Sequence, residues 1–421
     1  MKKVELLLPA GSIEKLKYAF AFGADAVYAG VPMFSLRAKE NEFNLGFLEE
    51  AIEYTRKIGK TIYFTVNIMP RNYKIKSFLE AFRKMNALRP DAFIVSDPGL
   101  VMLIRDNFPD AVVHLSVQQN TMNWASAQFW HKQGVERVIL SRELSVDEIR
   151  EICEKNPNLE IETFVHGSVC MSHSGRCLIS NYLTQRDANQ GLCSQSCRWN
   201  WKMYKQEAYY LEEEERKGEL FEVLEDESGS YLMSSRDMYG AHFVKDLIDA
   251  GVLSLKVEGR NKTAYYAAIV SRAYRMCIDS VLKNKEPDFD LIYKEVSSVF
   301  NRGFMEGFFG GDLKNESIQY EKRASFSTHE FVGIPRSLNN NRLEIQVKNR
   351  FVLNEELEFC FPDIKDDFKV KIEKIYTSDN EERVEAHGGD KNLFIDIPEK
   401  ELGKFQDFEN TFCMIRKELP K

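Results

Sequence analysis

Residues 6–30, LLLPAGSIEKLKYAFAFGADAVYAG, contain one complete unit of the pattern that decides the fold. A short apolar run (6–11) is followed by an amphipathic segment (12–23) and then by a second apolar run (25–30). Apolar residues at helical spacing predict a surface helix, whereas a short continuous apolar run predicts a parallel strand buried on both faces. The stretch therefore predicts a strand–helix–strand unit.

The same unit recurs along the chain as far as Arg260. The candidate strands are 6–11, 25–30, 61–67, 91–97, 112–118, 137–142, 161–167 and 253–260. Eight such strands with intervening helices predict an α/β protein with a (β/α)8 TIM-like barrel. The alternative is an open doubly wound sheet, but the first strand lacks the G-x-G-x-x-G motif typical of that fold.

Two segments depart from the repeating unit. The seventh strand is followed by a long Cys-rich excursion (168–236) rather than by a short loop. From residue 325 onward, short alternating runs separated by turn residues predict a small antiparallel β-barrel. We therefore predict a barrel over 1–285, a helical linker over 286–324 and a small β-barrel domain over 325–421.

Composition limits the classes of function. The formal net charge of −8 gives no overall attraction to nucleic acid, so an RNA site would have to be a local basic patch. The N-terminal apolar run ends at Pro9, too early for a secretion signal, and no run is long enough to span a membrane. We expect a cytoplasmic protein, where clustered cysteines favour metal binding or catalysis over disulfides.

Four of the eight cysteines lie close together in the excursion, with the spacing C-x6-C-x15-C-x3-C: Cys170, Cys177, Cys193 and Cys197. Four thiolates are the ligand set of an iron–sulfur cluster or of structural zinc. Zinc sites prefer paired short knuckles, and only the last pair approaches one, so the spacing favours iron–sulfur and leaves zinc as the alternative. A cysteine nucleophile with a nearby histidine is a further alternative.

Polar residues follow most of the predicted strands, at the edge where such barrels carry their sites. They are Asn67, Ser96, Asp97, Ser116, Gln118, Gln119, Asn120, Ser141, Arg142, Glu143, His166, Lys256, Glu258 and Arg260. Guanidinium groups bind carboxylates or phosphates in a bidentate manner. We predict that Gln118, Asn120, Arg142 and Arg260 bind substrate, and that His166 and Glu258 are catalytic. For any single residue, helix capping or mutual pairing is an equally good interpretation.

Several long motifs resemble the U32 family, whose members are catalogued as collagenase-like peptidases. They are ETFVHGSVCMSHSGRCLIS (162–180), NQGLCSQSCRW (189–199), YLMSSRDM (231–238) and LKVEGRNKTAYY (255–266). The chain looks most similar to the branch that hydroxylates tRNA wobble uridine in a prephenate-dependent reaction. That resemblance implies a [4Fe–4S] cluster on the four clustered cysteines, and Arg236 in the third motif is predicted to bind substrate.

The leading hypothesis is therefore an iron–sulfur enzyme that converts tRNA wobble uridine to 5-hydroxyuridine. Its expected partners are tRNA, prephenate or a similar small carboxylate, and an electron-donor protein, with no membrane. The alternatives are a collagenase-like peptidase and a cluster-bearing accessory subunit of a hydroxylation pathway.

Overall fold

We describe the fold from a computed structural model of the chain. The described residues are 4–36, 44–169, 172–173, 209–212, 220–223, 225–226, 229–230, 235–311, 325–339, 341–390, 393–408 and 410–420.

Eight parallel strands form a closed barrel. They are β1 (Glu5–Ala10), β2 (Ala26–Gly30), β3 (Thr61–Val66), β4 (Ala92–Val95), β5 (Val113–Leu115), β6 (Arg137–Ile139), β7 (Glu160–Ser168) and β13 (Ser254–Val257). Each strand pairs with the next, and β13 pairs with both β7 and β1, which closes the sheet. The predicted (β/α)8 barrel and all eight of its strands are thus confirmed.

Helices separate the strands and cover the outside of the barrel. They are α1 (Ile13–Ala21), α2 (Leu45–Lys57), α3 (Asn72–Ala87), α4 (Pro98–Asn107), α5 (Trp124–Lys132), α6 (Val146–Lys155), α7 (Val244–Ala250) and α8 (Ala264–Leu282). A capping box begins α6, where Ser145 and Glu148 each bind the other's backbone N–H. These two residues therefore fix the start of α6.

The excursion after β7 begins and ends at the same edge of the barrel. Short antiparallel pairs, β8 (Tyr209–Glu212) with β9 (Leu220–Val223) and β10 (Glu225–Asp226) with β11 (Gly229–Ser230), lie within it. The chain then re-enters through β12 (Asp237–Tyr239), which runs antiparallel to the end of β7. The predicted linker contains α9 (Phe289–Ser297) and β14 (Phe304–Met305), and β14 pairs with β12.

The C-terminal domain is an antiparallel half-barrel around its own apolar core. Its strands are β15 (His329–Asn339), β16 (Arg342–Val347), β17 (Phe351–Val352), β18 (Glu356–Cys360), β19 (Phe368–Lys371), β20 (Ile375–Tyr376), β21 (Glu382–Arg383), β22 (Glu385–Ala386), β23 (Leu393–Asp396) and β24 (Met414–Glu418). The run 368–376 has the sequence pattern of one strand but forms two, because β19 pairs with β18 whereas β20 pairs with β23 at the other end of the sheet.

A buried ionic network joins this domain to the barrel helices. Glu295 of α9 pairs with Arg272 of α8 and, at 2.9 Å, with Arg416 of β24. Arg272 also binds the Asp367 carboxylate at 2.9 Å, and Arg416 binds Glu358 at 2.8 Å. Since Arg272, Glu295 and Arg416 are each about 1% exposed, the two domains share one fully desolvated set of charges. None of the helices described is both long enough and apolar enough to span a membrane.

Candidate functional site

The carboxyl-terminal ends of the eight barrel strands, which we call the barrel mouth, carry most of the predicted site residues. Arg260 follows β13 and reaches across the mouth, where its Nη1 donates hydrogen bonds to Ser35 Oγ at 2.8 Å and to Thr65 Oγ1 at 2.9 Å. Its guanidinium also lies 5.6 Å from the centre of the Tyr28 ring. Three strands therefore fix the position of this cation.

Arg142 is the second cation of the mouth. Its guanidinium lies 3.9 Å from the centre of the Phe164 ring, a cation–π contact, and Nη1 donates to the Ser168 carbonyl at 2.8 Å. Nη2 lies 3.8 Å from Glu258 Oε2, while Nε has no hydrogen-bond partner within the part of the chain that is described. The sequence-predicted residues Arg142 and Glu258 are thus brought together.

Glu258 is held next to β7 by the backbone. Its N–H donates to the His166 carbonyl at 2.9 Å, and its carbonyl accepts from the Tyr266 hydroxyl at 2.8 Å. A Cβ at Gly167, where φ is +105°, would lie 2.5 Å from the Glu258 carbonyl oxygen. Only glycine permits this close approach, so Gly167 brings the end of β7 against Glu258.

A buried ionic layer lies below the mouth. Lys256 Nζ binds Glu162 at 2.7 Å, and Glu162 also accepts from Arg137 at 3.1 Å, which in turn binds Glu5 at 2.6 Å. Burial alone would raise the pKa of Glu162, but the adjacent Lys256 and Arg137 lower it below the usual value. Burial lowers the pKa of Lys256, and Glu162 offsets this only in part. The layer therefore lies beneath the cationic mouth, and its own charges are already paired with one another.

The predicted amides Gln118 and Asn120 follow β5. Gln118 is 2% exposed, and its Oε1 accepts from the hydroxyls of Ser96 at 2.8 Å and Ser116 at 3.2 Å. Its Nε2 has no hydrogen-bond partner among the residues that the structure describes. Asn120, at φ +49°, donates to the Gln118 carbonyl at 3.0 Å. A fixed amide with a spare N–H donor is suited to a carbonyl or carboxylate oxygen.

Some of the polar strand-end residues have structural roles. Asp97 caps α4 by accepting from the Leu100 N–H at 3.0 Å. Glu143 pairs with the Ser141 hydroxyl, and it lies 3.3 Å from His173 Nδ1. These contacts agree with the alternative interpretation, in which strand-end residues cap helices or pair with one another.

His166 is enclosed by aromatic side chains. It is 2% exposed, its Nδ1 lies 3.3 Å from the Tyr274 hydroxyl, and the rings of Tyr266, Tyr274 and Phe304 surround it at centroid distances of 5.3–6.0 Å. Burial lowers its pKa to about 4, Asp237 opposes this shift, and Lys262 adds to it. The imidazole is therefore neutral at neutral pH, and its catalytic role stays a prediction.

This burial predicts a loss of stability in acid. Because the folded-state pKa lies below that of the unfolded chain, the unfolded chain binds more protons at mildly acidic pH, and stability falls as pH falls. As the pH falls from about 7.5 to about 5.5, protonation of His166 in the unfolded chain should lower the free energy of unfolding by about 1 kcal/mol. Urea titrations at both pH values should show a smaller change in the free energy of unfolding for His166→Gln than for the wild type. His131→Gln, on the surface of α5, is the control, and equal differences in all three proteins would contradict the prediction.

The four clustered cysteines lie outside the described residues, but both ends of their segment lie at the mouth. Val169, which directly precedes Cys170, accepts a hydrogen bond at 2.6 Å from the Ser235 hydroxyl. Asp237 then pairs with Ser168 in the β12–β7 register. Arg236 lies between these contacts and is half-buried beside Gly303. The cysteine-bearing segment thus leaves the barrel and returns to it next to Arg142, whose Nη1 binds the Ser168 carbonyl.

Several residues of the site were missed by sequence reasoning. The rings of Tyr28 and Phe164 form the walls beside the cations, and the Ser35 and Thr65 hydroxyls bind Arg260. Tyr28 and Phe164 lie within apolar strand runs, where a site residue looks like core. No sequence signal distinguishes them from core residues, since each lies in the middle of its strand.

Fold and site together define a (β/α)8-barrel protein with a cationic mouth and a cysteine-bearing insertion after the seventh strand. The chain belongs to peptidase family U32: the family model matches residues 11–319, and the model of the U32 C-terminal domain matches residues 327–406. The predicted family is confirmed.

Curated relatives carry two kinds of name. The chain is 40% identical to "tRNA hydroxylation protein P" of Haemophilus influenzae, over 99% of this chain and 96% of that protein. It is 37% identical to the protein of the same name in Escherichia coli, over 99% and 97% of the two chains. It is also 32% identical to "Collagenase" of Porphyromonas gingivalis, over 74% and 75%.

Proposed function

We propose that this protein hydroxylates tRNA, converting wobble uridine to 5-hydroxyuridine in the cytoplasm with prephenate or a similar small carboxylate as co-substrate. The two relatives that match nearly full length at 37–40% identity are both named for tRNA hydroxylation. The site assignment depends on one observation. The two described ends of the cysteine-bearing segment meet at the barrel mouth beside Arg142.

The proposed cofactor is a [4Fe–4S] cluster on Cys170, Cys177, Cys193 and Cys197, with zinc as the alternative. Four thiols are the donor set that such a cluster takes, and the segment that carries them begins and ends at the mouth, where the Ser235 hydroxyl binds the Val169 carbonyl. When bound, such a cluster supplies redox chemistry next to the substrate. Replacing C–H by C–OH withdraws two electrons from the base, so a redox-active group suits this reaction better than a hydrolytic site does. Because the base loses two electrons, the reaction needs a two-electron acceptor, and a redox protein that takes up these electrons is the proposed protein partner.

The mouth would bind the small carboxylate and the uracil through different groups. Arg142 and Arg260 are fixed cations that suit carboxylates, and Gln118 offers a buried amide N–H to a carbonyl oxygen. Asn120 and Arg236 border the same edge. Glu258, which lies 3.8 Å from Arg142 and 3.5 Å from the Tyr28 hydroxyl, is the carboxylate best placed to accept a proton.

The direct test in cells is mass spectrometry of tRNA nucleosides from a strain that lacks the gene. We expect 5-hydroxyuridine and the nucleosides made from it to disappear, and to return when the gene is restored. Unchanged amounts in the deletion strain would overturn the proposal. Modification that needs the deletion strain's lysate in addition to purified protein and prephenate, even when a chemical electron acceptor replaces the redox partner, would instead indicate an accessory subunit.

Arg142 gives a specific prediction for this reaction. Arg142→Ala should lower kcat/KM for the carboxylate co-substrate by about 10- to 100-fold, because a charge-assisted hydrogen bond to a buried anion contributes about 1.5–3 kcal/mol. Arg150→Ala on α6, where the side chain is 40% exposed, is the matched control and should leave kcat/KM unchanged. A normal kcat/KM for Arg142→Ala would exclude this residue from the site.

The competing function is peptide hydrolysis, which the collagenase relative favours. A hydrolase needs a nucleophile with a base in reach, whereas His166 Nδ1 lies at hydrogen-bond distance, 3.3 Å, from the hydroxyl of Tyr274. Gelatin cleavage by colourless, metal-free protein, abolished by Cys170→Ser, would support the peptidase instead.

A further inference from the structure

The side-chain amide of Gln118 is buried at the barrel mouth with its nitrogen side unused. Gln118 follows β5 and is 2% exposed. Its Oε1 lies 2.8 Å from the Ser96 hydroxyl and 3.2 Å from the Ser116 hydroxyl, whereas Nε2 has no hydrogen-bond partner among the described residues. A buried N–H group without a partner is costly, so this one points to a ligand that supplies an acceptor.

The serine hydroxyls fix which side of the amide is left for a ligand. Ser116 Oγ accepts the Gln118 backbone N–H at 3.5 Å, and its own hydrogen is donated to the amide oxygen. If the amide were reversed, Ser116 Oγ would face two N–H groups, and its hydrogen would have no acceptor in the described part of the chain. The orientation in which Nε2 is left for the ligand is therefore favoured.

On one side, the loop of Gln118 is joined to the loop of Arg142. The Ser141 N–H donates to the Thr121 carbonyl at 3.2 Å. Thr121 lies three residues after Gln118, and Ser141 directly precedes Arg142. The amide and the first cation of the mouth therefore lie on adjacent, connected loops.

On the other side, a series of contacts connects the amide to Arg260. Ser96 Oγ, which lies beside the amide oxygen, is 3.1 Å from the Asn67 carbonyl oxygen. The Asn67 side chain accepts from the Leu36 N–H at 3.2 Å, and the neighbouring Ser35 hydroxyl binds Arg260 at 2.8 Å. The amide thus belongs to the same site as both cations.

Uracil and cytosine differ at the ring carbon next to the one that is hydroxylated. C4 of uracil carries an oxygen that accepts a hydrogen bond, whereas C4 of cytosine carries an amino group that donates one. An N–H donor that faces C4 therefore pairs with uracil and opposes cytosine. The O2 oxygen is common to both bases, so a donor at O2 would not distinguish them.

We propose that Gln118 selects uracil against cytosine by donating from Nε2 to O4 of the target base, next to the reacting C5. With cytosine in the same place, the buried N–H would face an amino group and would have no acceptor. This mismatch should favour uracil by about 10- to 100-fold. Ser96 and Ser116 are positioning residues that hold the amide in this orientation. The inference rests on the uridine substrate of the proposed function.

The test is a competition between two isotope-labelled, full-length tRNA transcripts that differ only in having uridine or cytidine at the wobble position. Equal amounts are added to lysate of the deletion strain with purified protein and prephenate, and mass spectrometry measures the hydroxylated fraction of each labelled base. The isotope distinguishes the transcripts from the tRNA of the lysate. We expect the wild-type protein to favour uridine by at least about tenfold.

Two substitutions at Gln118 should change this preference in different ways. Gln118→Glu replaces the donor by an acceptor, so it should lower the preference by at least about tenfold and increase hydroxylation of cytidine. Gln118→Met has a similar size but no hydrogen-bonding amide, so it should lower hydroxylation of uridine until the two bases react nearly equally. Gln133→Glu, at the exposed end of α5, is the matched control and should keep the wild-type preference.

The outcomes separate this inference from the proposed function. Equal hydroxylation of the two transcripts by the wild-type protein would overturn the inference, and so would an unchanged preference in both Gln118 variants. An equal loss on both transcripts, in variants with the wild-type melting temperature, would show that Gln118 does not select the base, which also overturns it. In each case, loss of 5-hydroxyuridine from the deletion strain would still support hydroxylation. Unchanged 5-hydroxyuridine in that strain would overturn the proposed function and this inference with it.

Discussion

Replacing Cys193 by serine is expected to reduce 5-hydroxyuridine in tRNA to the level of the deletion strain. The reason is loss of one of four thiolate ligands, since serine offers a harder, more basic oxygen in place of a soft sulfur. Iron, acid-labile sulfide and the visible absorption of anaerobically purified protein should fall together with the modification. These readouts report the cluster directly and do not depend on activity.

The matched control for Cys193→Ser is Cys153→Ser. Cys153 is a half-buried cysteine in α6, and its thiol does not belong to the proposed ligand set. We expect normal iron, normal sulfide and normal modification for this variant. Full modification by Cys193→Ser protein that lacks iron would contradict a role for the cluster in hydroxylation.

The second large effect concerns the ionic layer below the mouth. Glu162→Gln should destabilise the protein by about 3–5 kcal/mol, because Lys256 would be left in a fully buried site without the carboxylate that pairs it, while Arg137 would keep only Glu5 and Glu160. Glu162 is 0% exposed, and its side chain contacts both cations at 2.7 Å and 3.1 Å. Urea unfolding followed by circular dichroism measures this loss.

Glu160→Gln is the matched control for Glu162→Gln, because Glu160 binds the same Arg137, at 2.7 Å, from a side chain that is 45% exposed. Partly exposed ion pairs contribute little, so we expect a change below about 1 kcal/mol. Similar, small effects of both substitutions would show that the layer is not held by charge pairing.

The barrel was predictable because its strands are short apolar runs that alternate with amphipathic helices. This pattern depends only on residues close together in the sequence, so it can be recognised without knowledge of tertiary contacts. The run 368–376 shows the limit: it reads as one strand, yet its two halves pair with different strands of the half-barrel. Strand partners are a non-local property, and the short β17, β21 and β22 were missed for the same reason.

Site residues were predictable where a charged residue follows an apolar strand. Arg142, Glu258 and Arg260 were found in this way, and the structure brings Arg142 and Glu258 within 3.8 Å. The burial of His166 was not predictable, because its position at the end of a strand does not show that aromatic rings from α8 and β14 enclose it. The proposed metal ligands lie outside the described residues, so their assignment depends on spacing and on the anchors at Val169 and Ser235.

The most direct test of the central claim is iron and sulfide analysis of the full-length protein purified without oxygen. We expect brown protein with about four iron and about four sulfide per chain, in keeping with one [4Fe–4S] cluster on four cysteines. Colourless protein that contains zinc, or no metal at all, would contradict it.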